Sequence, residues 1–460
     1  RKRLKVDSTL IKDVGGSHRR LCDRYNREVY NDALARLPNG KAAGPDEIPN
    51  EILKWLPTEF HNMLHEYFLL LWGNSYTPTL WKDAITVLLY KKDDAFNVKN
   101  YRPIGLKRTI YKLWTATITR VLTDFVEEHK VLSDAQEGFR RGRTTRNHIH
   151  RLSKAMEDAM TTGNNIHVLY VDFADAFGSV DHHRLHAIME AMGLPKDAIE
   201  LVRDLYRGAS IRVRTPKGDT ASIPIMGRGT IQGDTLSPLL FVIFIDPLLR
   251  WLEEGNREYK FKTSDAKLGP MAYADDLAIV TDKVAHLHTQ AAKVDYFCTW
   301  AGLEMNVDEV RKNKTAWTGI VRDTDAGEKA ELERAKSNGV RIGRGEDEWM
   351  GRRAIPYLNP NESYVYLGAH INPSLNWKRH WETTKEKLRV AANATTQSSA
   401  LVTQKLHILE TVVRAILRYS MIATPYSWAQ LHTLHGITMC AARRSCGLSR
   451  HASTGLMMAN

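Results

Sequence analysis

"MAYADDLAIV", at residues 271–280, places two adjacent aspartates between two short apolar runs. Apolar runs with a tight interruption predict a buried β-hairpin. A carboxylate at such a place is costly unless it is paired or binds a cation, and two adjacent carboxylates also repel each other. Asp275 and Asp276 are therefore candidates for a metal site. Taken alone, these ten residues are explained as well by an ordinary Asp-Asp turn.

A third acid follows the continuous β-type run "IHVLYV" at residues 166–171. Such a run predicts a strand that is covered on both faces, and Asp172 stands at its end. If this strand neighbours the hairpin, the three carboxylates meet at one edge of a sheet. That arrangement would suit two divalent cations about 4 Å apart, which support phosphoryl transfer.

The composition favours an intracellular protein with a polyanionic partner. The chain has 460 residues, 43% of them hydrophobic, and its 65 basic against 53 acidic residues give a net charge of +12. This length allows roughly three domains, and the basic excess suits nucleic acid. The four cysteines form no CxxC motif and the histidine pairs lack partners at zinc spacing, so neither a zinc site nor a disulfide framework is expected.

The longest apolar run, "LSPLLFVIFIDPLL" at residues 236–249, is too short to span a bilayer. We therefore expect no membrane partner, and we see no signal peptide. The run predicts a buried helix, and helical spacing predicts two more helices at residues 109–129 and 284–302. A hairpin is predicted at residues 210–225. The charged, glycine-containing segment 322–353 is expected to be an exposed insertion.

After residue 368 the chain is predicted to be helical. One amphipathic helix is expected to bury six residues on a single face, namely Ile408, Leu409, Val412, Val413, Ile416 and Leu417.

Over about residues 40–370 the chain resembles the reverse transcriptases of non-LTR (LINE-type) retrotransposons. Eight segments carry this resemblance in the expected order, which makes it far more specific than any one of them. They are "KAAGPDEIP" (41–49), "NYRPIGL" (100–106), "QEGFRRGRTTRNHI" (136–149), "VDFADAFGSVDH" (171–182), "GTIQGDTLSPLLFVIFIDPLL" (229–249), "YADD" (273–276), "GLEMN…KT" (302–315) and "YLG" (366–368).

The resemblance implies an α+β right-hand polymerase with fingers, an RRM-like antiparallel-sheet palm and a helical thumb. On that basis we expect an N-terminal extension at 1–38, fingers at 39–165, a palm at 166–370, and a thumb with C-terminal helices at 371–460. The palm would carry a fingers-type insertion at about 183–225 and a charged insertion at about 318–360.

The resemblance also implies two Mg²⁺ ions, with Mn²⁺ as a substitute, held at Asp172, Phe173, Asp275 and Asp276. Asp275 is the stronger candidate for a direct ligand. Lys314 would protonate the pyrophosphate leaving group. Seven residues separate Asn306 from Lys314 where the family usually has about two, so Lys312 competes for this role.

Further site residues follow from the same segments. Phe177 matches the aromatic residue that lies under the sugar and excludes a 2′-hydroxyl, which favours deoxynucleotides. The nucleotide would be bound by Lys91, Lys92, Arg102, Phe173, Ala176, Phe177, Gln232 and Gly233. The primer end would be gripped by Tyr366, Leu367 and Gly368. The template would be contacted by Arg140, Arg141 and Arg143.

The implied function is an RNA-templated DNA polymerase that acts on dNTPs, an RNA template and a DNA primer or target DNA, in an intracellular, nuclear location. Three alternatives stay open at this point. They are a non-catalytic RNA-binding protein derived from a retroelement, a group II intron maturase, and an RNA-dependent RNA polymerase.

Overall fold

The structure is a computed structural model that describes residues 20–91, 94–307, 314–322, 324–342, 353–449 and 452. Its first part is mainly helical, with α1 (Arg27–Arg36), α2 (Asn50–Trp55), α3 (Thr58–Gly73) and α4 (Thr109–Glu128). Apolar faces of α3 and α4 meet at buried aromatic rings, where the Trp114 ring centroid lies 5.0 Å from that of Phe68 and 5.5 Å from that of Trp72. The helix predicted at 109–129 is confirmed by α4.

A five-stranded lateral sheet is built from segments that precede and follow α4 in the chain. Its strands are β1 (Asp83–Tyr90), β2 (Tyr101–Lys107), β5 (Ser210–Thr215), β6 (Gly218–Asp219) and β7 (Ile223–Pro224). β1 pairs antiparallel with β2 and parallel with β5, so the sheet joins segments that are far apart in the sequence. β5 folds back on β6 and β7, which confirms the hairpin predicted at 210–225.

The central sheet is antiparallel, in the order β10-β11-β3-β13. Its strands are β3 (Ile166–Val171), β10 (Pro270–Tyr273), β11 (Asp276–Thr281) and β13 (Ala316–Ile320). The helices between them are α6 (His182–Ala191), α7 (Lys196–Tyr206), α8 (Ser237–Glu253) and α9 (Val284–Ala301). The order along the chain is that of a β-α-β-β-α-β unit.

Both faces of this sheet are covered, as predicted for β3, whose six residues are all buried. Leu169 and Val171 face one core, to which α8 and α9 contribute. Val168 and Tyr170 face a second core with α5 (Thr145–Thr162). Because side chains alternate along a strand, a continuous apolar run is what a strand between two cores requires.

Short elements surround the central sheet. They are β4 (Phe173–Ala174), which pairs with β12 (Glu304–Met305), β8 (Tyr259–Lys260) with β9 (Lys267–Leu268), β14 (Val340–Ile342) with β15 (Arg353–Ile355), β16 (Tyr364–Tyr366) with β17 (Ala369–Ile371), and helix α10 (Ala326–Asn338). The prediction that 322–353 is only an exposed insertion is wrong in its described part. Leu332, Ala335 and Val340 are buried there, since α10 and β14 pack against α9.

The C-terminal part is a helical bundle of α11 (Lys378–Gln397), α12 (Val402–Ile408), a π-helical turn (Leu409–Val413), α13 (Arg414–Ala423) and α14 (Trp428–Ser445). Leu409 and Val413 are buried there as predicted, but Val412 is 50% exposed. The π-helical turn widens the repeat and rotates Val412 off the predicted face. Within the described residues, no helix is both long and apolar enough to cross a membrane.

Candidate active site

The three acids lie at one edge of the central sheet. The antiparallel pairing of β11 with β3 ends at Leu277 and Val171. Asp276, just before Leu277, and Asp172, just after Val171, therefore lie at the same end of two neighbouring strands. Tyr273 pairs with Asp276, which leaves Ala274 and Asp275 as a two-residue turn between β10 and β11. The predicted hairpin and its position beside β3 are thereby confirmed.

The charges of these carboxylates act on one another. Removal from water, with the neighbouring charge of Asp172, raises the pKa of Asp275 above its usual value. Removal from water and the charges of Asp275 and Asp172 raise the pKa of Asp276 to about 6, although its side chain keeps contact with solvent. The site therefore carries negative charge that the protein neutralises only in part.

Asp172 is held by groups from the segment that leads into β13. The Lys314 ammonium lies 3.2 Å from Oδ1 and 3.1 Å from Oδ2 of Asp172. The Asn306 amide Nδ2 donates to Oδ2 at 3.0 Å, and the Thr315 hydroxyl accepts from the Asp172 backbone N–H at 3.1 Å. Lys314 is thus placed at the acids, whereas its competitor Lys312 lies outside the described residues.

Sequence reasoning quoted Asn306 within a motif but gave it no role. The structure shows it joined to Asp172 twice, because its backbone N–H also donates to the Asp172 carbonyl at 2.8 Å. Its position at the end of the short strand β12 was the only local signal for this role.

Carboxylate oxygens are the ligands that Mg²⁺ prefers, and the unneutralised charge at Asp275 and Asp276 suits such a cation. In the described part of the chain, no group of three or more His, Cys, Asp or Glu side chains is already gathered as a metal site. Asp172 is instead engaged by Lys314 and Asn306. The donor chemistry therefore fits Mg²⁺, with Lys314 providing a positive charge in contact with Asp172.

The two aromatic residues after Asp172 have different surroundings. Phe173 is buried in the main core, and Phe177 stacks on Phe241 with ring centroids 5.0 Å apart. The Phe177 carbonyl accepts from the Thr230 backbone N–H at 2.8 Å, which ties it to the loop before α8. Ala176 between them is also buried. Of Phe173, Ala176 and Phe177, only Phe177 is partly exposed.

The loop that contains Gln232 and Gly233 packs on the lateral sheet. The Gly105 backbone N–H donates to the Gln232 carbonyl at 2.7 Å. A Cβ at Gly105 would overlap the Ile231 side chain, so this contact requires a glycine. Arg102 on the same strand β2 is exposed, and its positive charge partly offsets the raised pKa of Asp275.

The predicted lysines on the lateral sheet are less well placed. Lys91 is exposed at the end of β1, where its backbone N–H donates to the Asn100 carbonyl at 2.8 Å. Lys92 lies outside the described residues. Arg102 is therefore the described cation of this group that has an electrostatic contact with the acids.

Tyr366, Leu367 and Gly368 form the end of the β16–β17 hairpin. Leu367 and Gly368 have φ values of +47° and +79°, as expected for a tight two-residue turn. The buried Tyr366 hydroxyl is 3.1 Å from Nδ1 of His148 and 3.4 Å from the Met271 carbonyl on β10. The hairpin is therefore fixed beside the strand that leads to Asp275.

The three predicted template arginines have different roles in the structure. Arg140 is 7% exposed, and its guanidinium donates to both Glu127 oxygens at 2.9 and 2.8 Å. Arg141 is half exposed and lies 2.5 Å from Asp124, while Arg143 lies 2.9 Å from Asp134. Arg140 is thus engaged within the protein, and Arg141 has the most accessible side chain of the three.

Comparison with known proteins places these observations in a family. Residues 90–370, more than half of the chain, match the family described as reverse transcriptase (RNA-dependent DNA polymerase). The "Probable RNA-directed DNA polymerase from transposon BS" of Drosophila melanogaster is 28% identical over 256 residues, which are 55% of this chain and 27% of that protein.

Two further examples show the same similarity at different lengths of alignment. The "Retrovirus-related Pol polyprotein from type-1 retrotransposable element R2" of Nasonia vitripennis is 25% identical over 348 residues, or 75% of this chain and 31% of that protein. The chain thus spans about a third or less of the length of these two relatives. A solved structure of apo telomerase from Candida Tropicalis aligns over 70% of this chain and 59% of its own, with 11% identity and a TM-score of 0.40.

Proposed function

The chain belongs to the reverse transcriptase (RNA-dependent DNA polymerase) family, and we propose that it is the RNA-templated DNA polymerase of a non-LTR retroelement. The family assignment agrees with the resemblance that the sequence motifs carried. The names of two relatives, one from a transposon and one from a retrotransposable element, support the proposal that this chain comes from a retroelement. RNA template, DNA primer or target DNA, dNTPs and a nuclear location are parts of the same proposal.

One observation carries the proposal most strongly. Asp172, Asp275 and Asp276 lie at one edge of a single antiparallel sheet. Burial and the charge of Asp172 raise the pKa values of Asp275 and Asp276, and the charge of Asp275 raises the pKa of Asp276 further. Carboxylates that repel each other at a sheet edge gain most from divalent cations, which neutralise them and stabilise the charge of an in-line displacement at phosphorus.

We propose the polymerase architecture on the same grounds. The central sheet with its β-α-β-β-α-β order would be the palm, the lateral sheet with α2–α4 the fingers, and the bundle α11–α14 the thumb. The lateral sheet is attached to the central unit by Gly105 and the loop of Gln232, and the charge of Arg102 on the same strand acts on Asp275. This attachment supports a nucleotide site between the two sheets.

In this proposal Asp172 and Asp275 would hold two Mg²⁺ ions, with Asp276 in support and the backbone of Phe173 as a further ligand. Lys314, whose ammonium lies beside Asp172, would give a proton to the departing pyrophosphate. Arg102 binds the triphosphate, and Phe177, braced by Phe241, lies under the sugar and excludes a 2′-hydroxyl.

Extension of a labelled DNA primer on an RNA template tests the proposal. With Mg²⁺ and dNTPs the chain should extend the primer, and removal of the template or addition of a chelator should stop it. Extension with rNTPs in place of dNTPs would favour an RNA polymerase. RNA binding without any extension would favour the non-catalytic RNA-binding protein, and stimulation of intron splicing would favour a maturase.

A further inference from the structure

The outer edge of β10, the terminal strand of the central sheet, is covered by a loop that the proposed chemistry does not use. The Glu137 backbone N–H donates to the Ala272 carbonyl, and the Ala272 N–H donates to the Ala135 carbonyl, both at 2.8 Å. Gln136 is thereby paired in parallel with Ala272, like a residue of one more short strand. This pairing brings the Gln136 side chain to the turn that carries Asp275.

The Gln136 carboxamide makes hydrogen bonds to both peptide groups that flank Ala274. Its Oε1 accepts from the Ala274 N–H at 2.9 Å and from the Gly138 N–H at 2.8 Å, and its Nε2 donates to the Ala274 carbonyl at 3.4 Å. The side chain is fully buried, so water does not compete for these hydrogen bonds. The second of these peptide groups leads directly into Asp275.

Ala274 has a conformation that needs such support. Its φ is +57°, in the left-handed region that residues with a Cβ rarely adopt. Gly138 packs against the same residue so closely that a Cβ at Gly138 would overlap the Ala274 nitrogen. The direction in which Asp275 leaves the turn therefore depends on contacts from the loop of Gln136.

This loop is itself held firmly. The Arg140 guanidinium donates to the Ser133 carbonyl at 2.9 Å and to the Gln136 carbonyl at 3.2 Å. The Ser133 backbone N–H donates to Oδ1 of the buried Asp246 on α8 at 2.6 Å. The position of Gln136 is thus fixed by Arg140 and by the link from Ser133 to α8. It does not depend on the turn at Ala274 and Asp275 to which Gln136 is hydrogen-bonded.

We propose that Gln136 is a positioning residue for the nucleotidyl-transfer site, one that acts through the Ala274 backbone to hold Asp275 where it can bind a divalent cation together with Asp172. Gln136 touches no reacting atom. The inference deepens the proposed function and rests on it for the role of the cation.

Mn²⁺ binding by the intact chain, measured by electron paramagnetic resonance of the free ion, tests this inference without any turnover. Gln136→Met keeps the volume of the side chain and removes its hydrogen bonds. We expect it to weaken Mn²⁺ binding by about 10- to 100-fold, the usual effect of losing a group that orients a metal ligand. Gln290→Met is the matched control, because Gln290 is also fully buried and donates to the Leu252 carbonyl at 2.8 Å, away from the acids.

A second substitution separates positioning from general destabilisation. Glycine adopts positive φ without a steric cost, so Ala274→Gly in the Gln136→Met chain should restore part of the Mn²⁺ affinity. If Gln136→Met does not fold, Gln136→Asn replaces it, since the shorter carboxamide stays polar but no longer reaches both peptide groups.

Mn²⁺ affinity of the folded Gln136 variant equal to that of wild type and of Gln290→Met would overturn the inference. Failure of the proposed function looks different: a wild-type chain that binds Mn²⁺ but does not extend a primer on RNA. The Mn²⁺ comparison would still decide the role of Gln136 in that case.

Discussion

The ammonium of Lys314 lies 3.1 Å from Oδ2 of Asp172, so a lysine neutralises the carboxylate at which the proposed chemistry needs a divalent cation. Both side chains keep contact with solvent, at 36% and 26% exposure. Lys314 therefore has two separable properties in the proposed function, a positive charge beside Asp172 and a proton for the leaving group.

Substitution of Lys314 should change metal affinity and rate in opposite directions. In Lys314→Ala the lost counter-charge should tighten Mn²⁺ binding, while the loss of a general acid should lower the rate of incorporation by about 10²–10⁴-fold. Lys314→Arg is the informative partner, because arginine keeps the charge and does not release a proton near neutral pH. It should bind Mn²⁺ like wild type and still be slow; a fast Lys314→Arg chain would exclude the acid role.

The raised pKa of Asp276 predicts that this acid costs stability at neutral pH. Its pKa is about 6 in the folded chain, above the value of about 3.9 in an unfolded one. The folded state therefore binds the proton more tightly than the unfolded state. The stability that this tighter binding gives the folded state is fully present below pH about 4 and is lost as the pH rises through about 6. Without divalent cations, Asp276→Asn should unfold at a higher temperature than wild type at pH 7, and the difference should vanish near pH 4.

Asp265→Asn is the matched control for this experiment, since Asp265 is an exposed acid on the loop between β8 and β9. It should show no such pH-dependent gain. If the unfolding temperatures of Asp276→Asn and wild type differed by the same amount from pH 4 to pH 7, the pKa of Asp276 would not be raised in the folded chain.

Arg140 and Arg141 should differ in what they support, although they are neighbours in one basic run. Arg140→Ala removes two charged hydrogen bonds to Glu127 from a nearly buried site, and we expect it to lower the free energy of unfolding by about 3 kcal/mol. Arg141→Ala should leave that free energy within about 0.5 kcal/mol of wild type.

RNA binding at several salt concentrations gives the complementary measurement. If Arg141 contacts a template phosphate, Arg141→Ala should weaken RNA binding and reduce the slope of log affinity against log salt by about one. An unchanged slope would remove Arg141 from the template contacts.

Phe177 should control the choice of sugar. Phe177→Ala removes the ring that stacks on Phe241, and we expect the preference for dNTPs over rNTPs to fall by about 10- to 100-fold. Phe297→Ala, which removes a buried ring packed against Trp300 on α9, is the control for lost packing. Equal loss of discrimination in both variants would show that the effect is structural.

The parts of the fold that could be predicted are those with a strong local pattern. The run before Asp172 is made of strand-favouring residues and is buried at every position, which suits a strand between two cores, and the hairpin of Asp275 combines two apolar runs with a turn. The rotation of Val412 could not be predicted, because a π-helical turn changes the helical repeat without a clear sequence signal.

The residues of the candidate site also fall into those that a local pattern predicts and those that only the folded chain reveals. Its acids stand at strand ends, where motif and periodicity agree. Gln136 was quoted within a motif, but its contact with Ala274 joins residues 138 positions apart, and only the folded chain shows it. The different roles of Arg140 and Arg141 likewise depend on their ion-pair partners, Glu127 and Asp124. Both partners lie on helix α4, outside the motif that contains the arginines.

Single-nucleotide incorporation on an RNA template, with saturating Mg²⁺ and dNTP, tests the central claim most directly when wild type is compared with Asp275→Asn and Asp265→Asn. The shape of Asp275→Asn is almost unchanged, but one of the proposed cation ligands has lost its charge. We expect its rate to fall by at least about 10²–10³-fold, with Asp265→Asn near wild type. Equal rates for Asp275→Asn and wild type would contradict the proposal that these aspartates carry the chemistry.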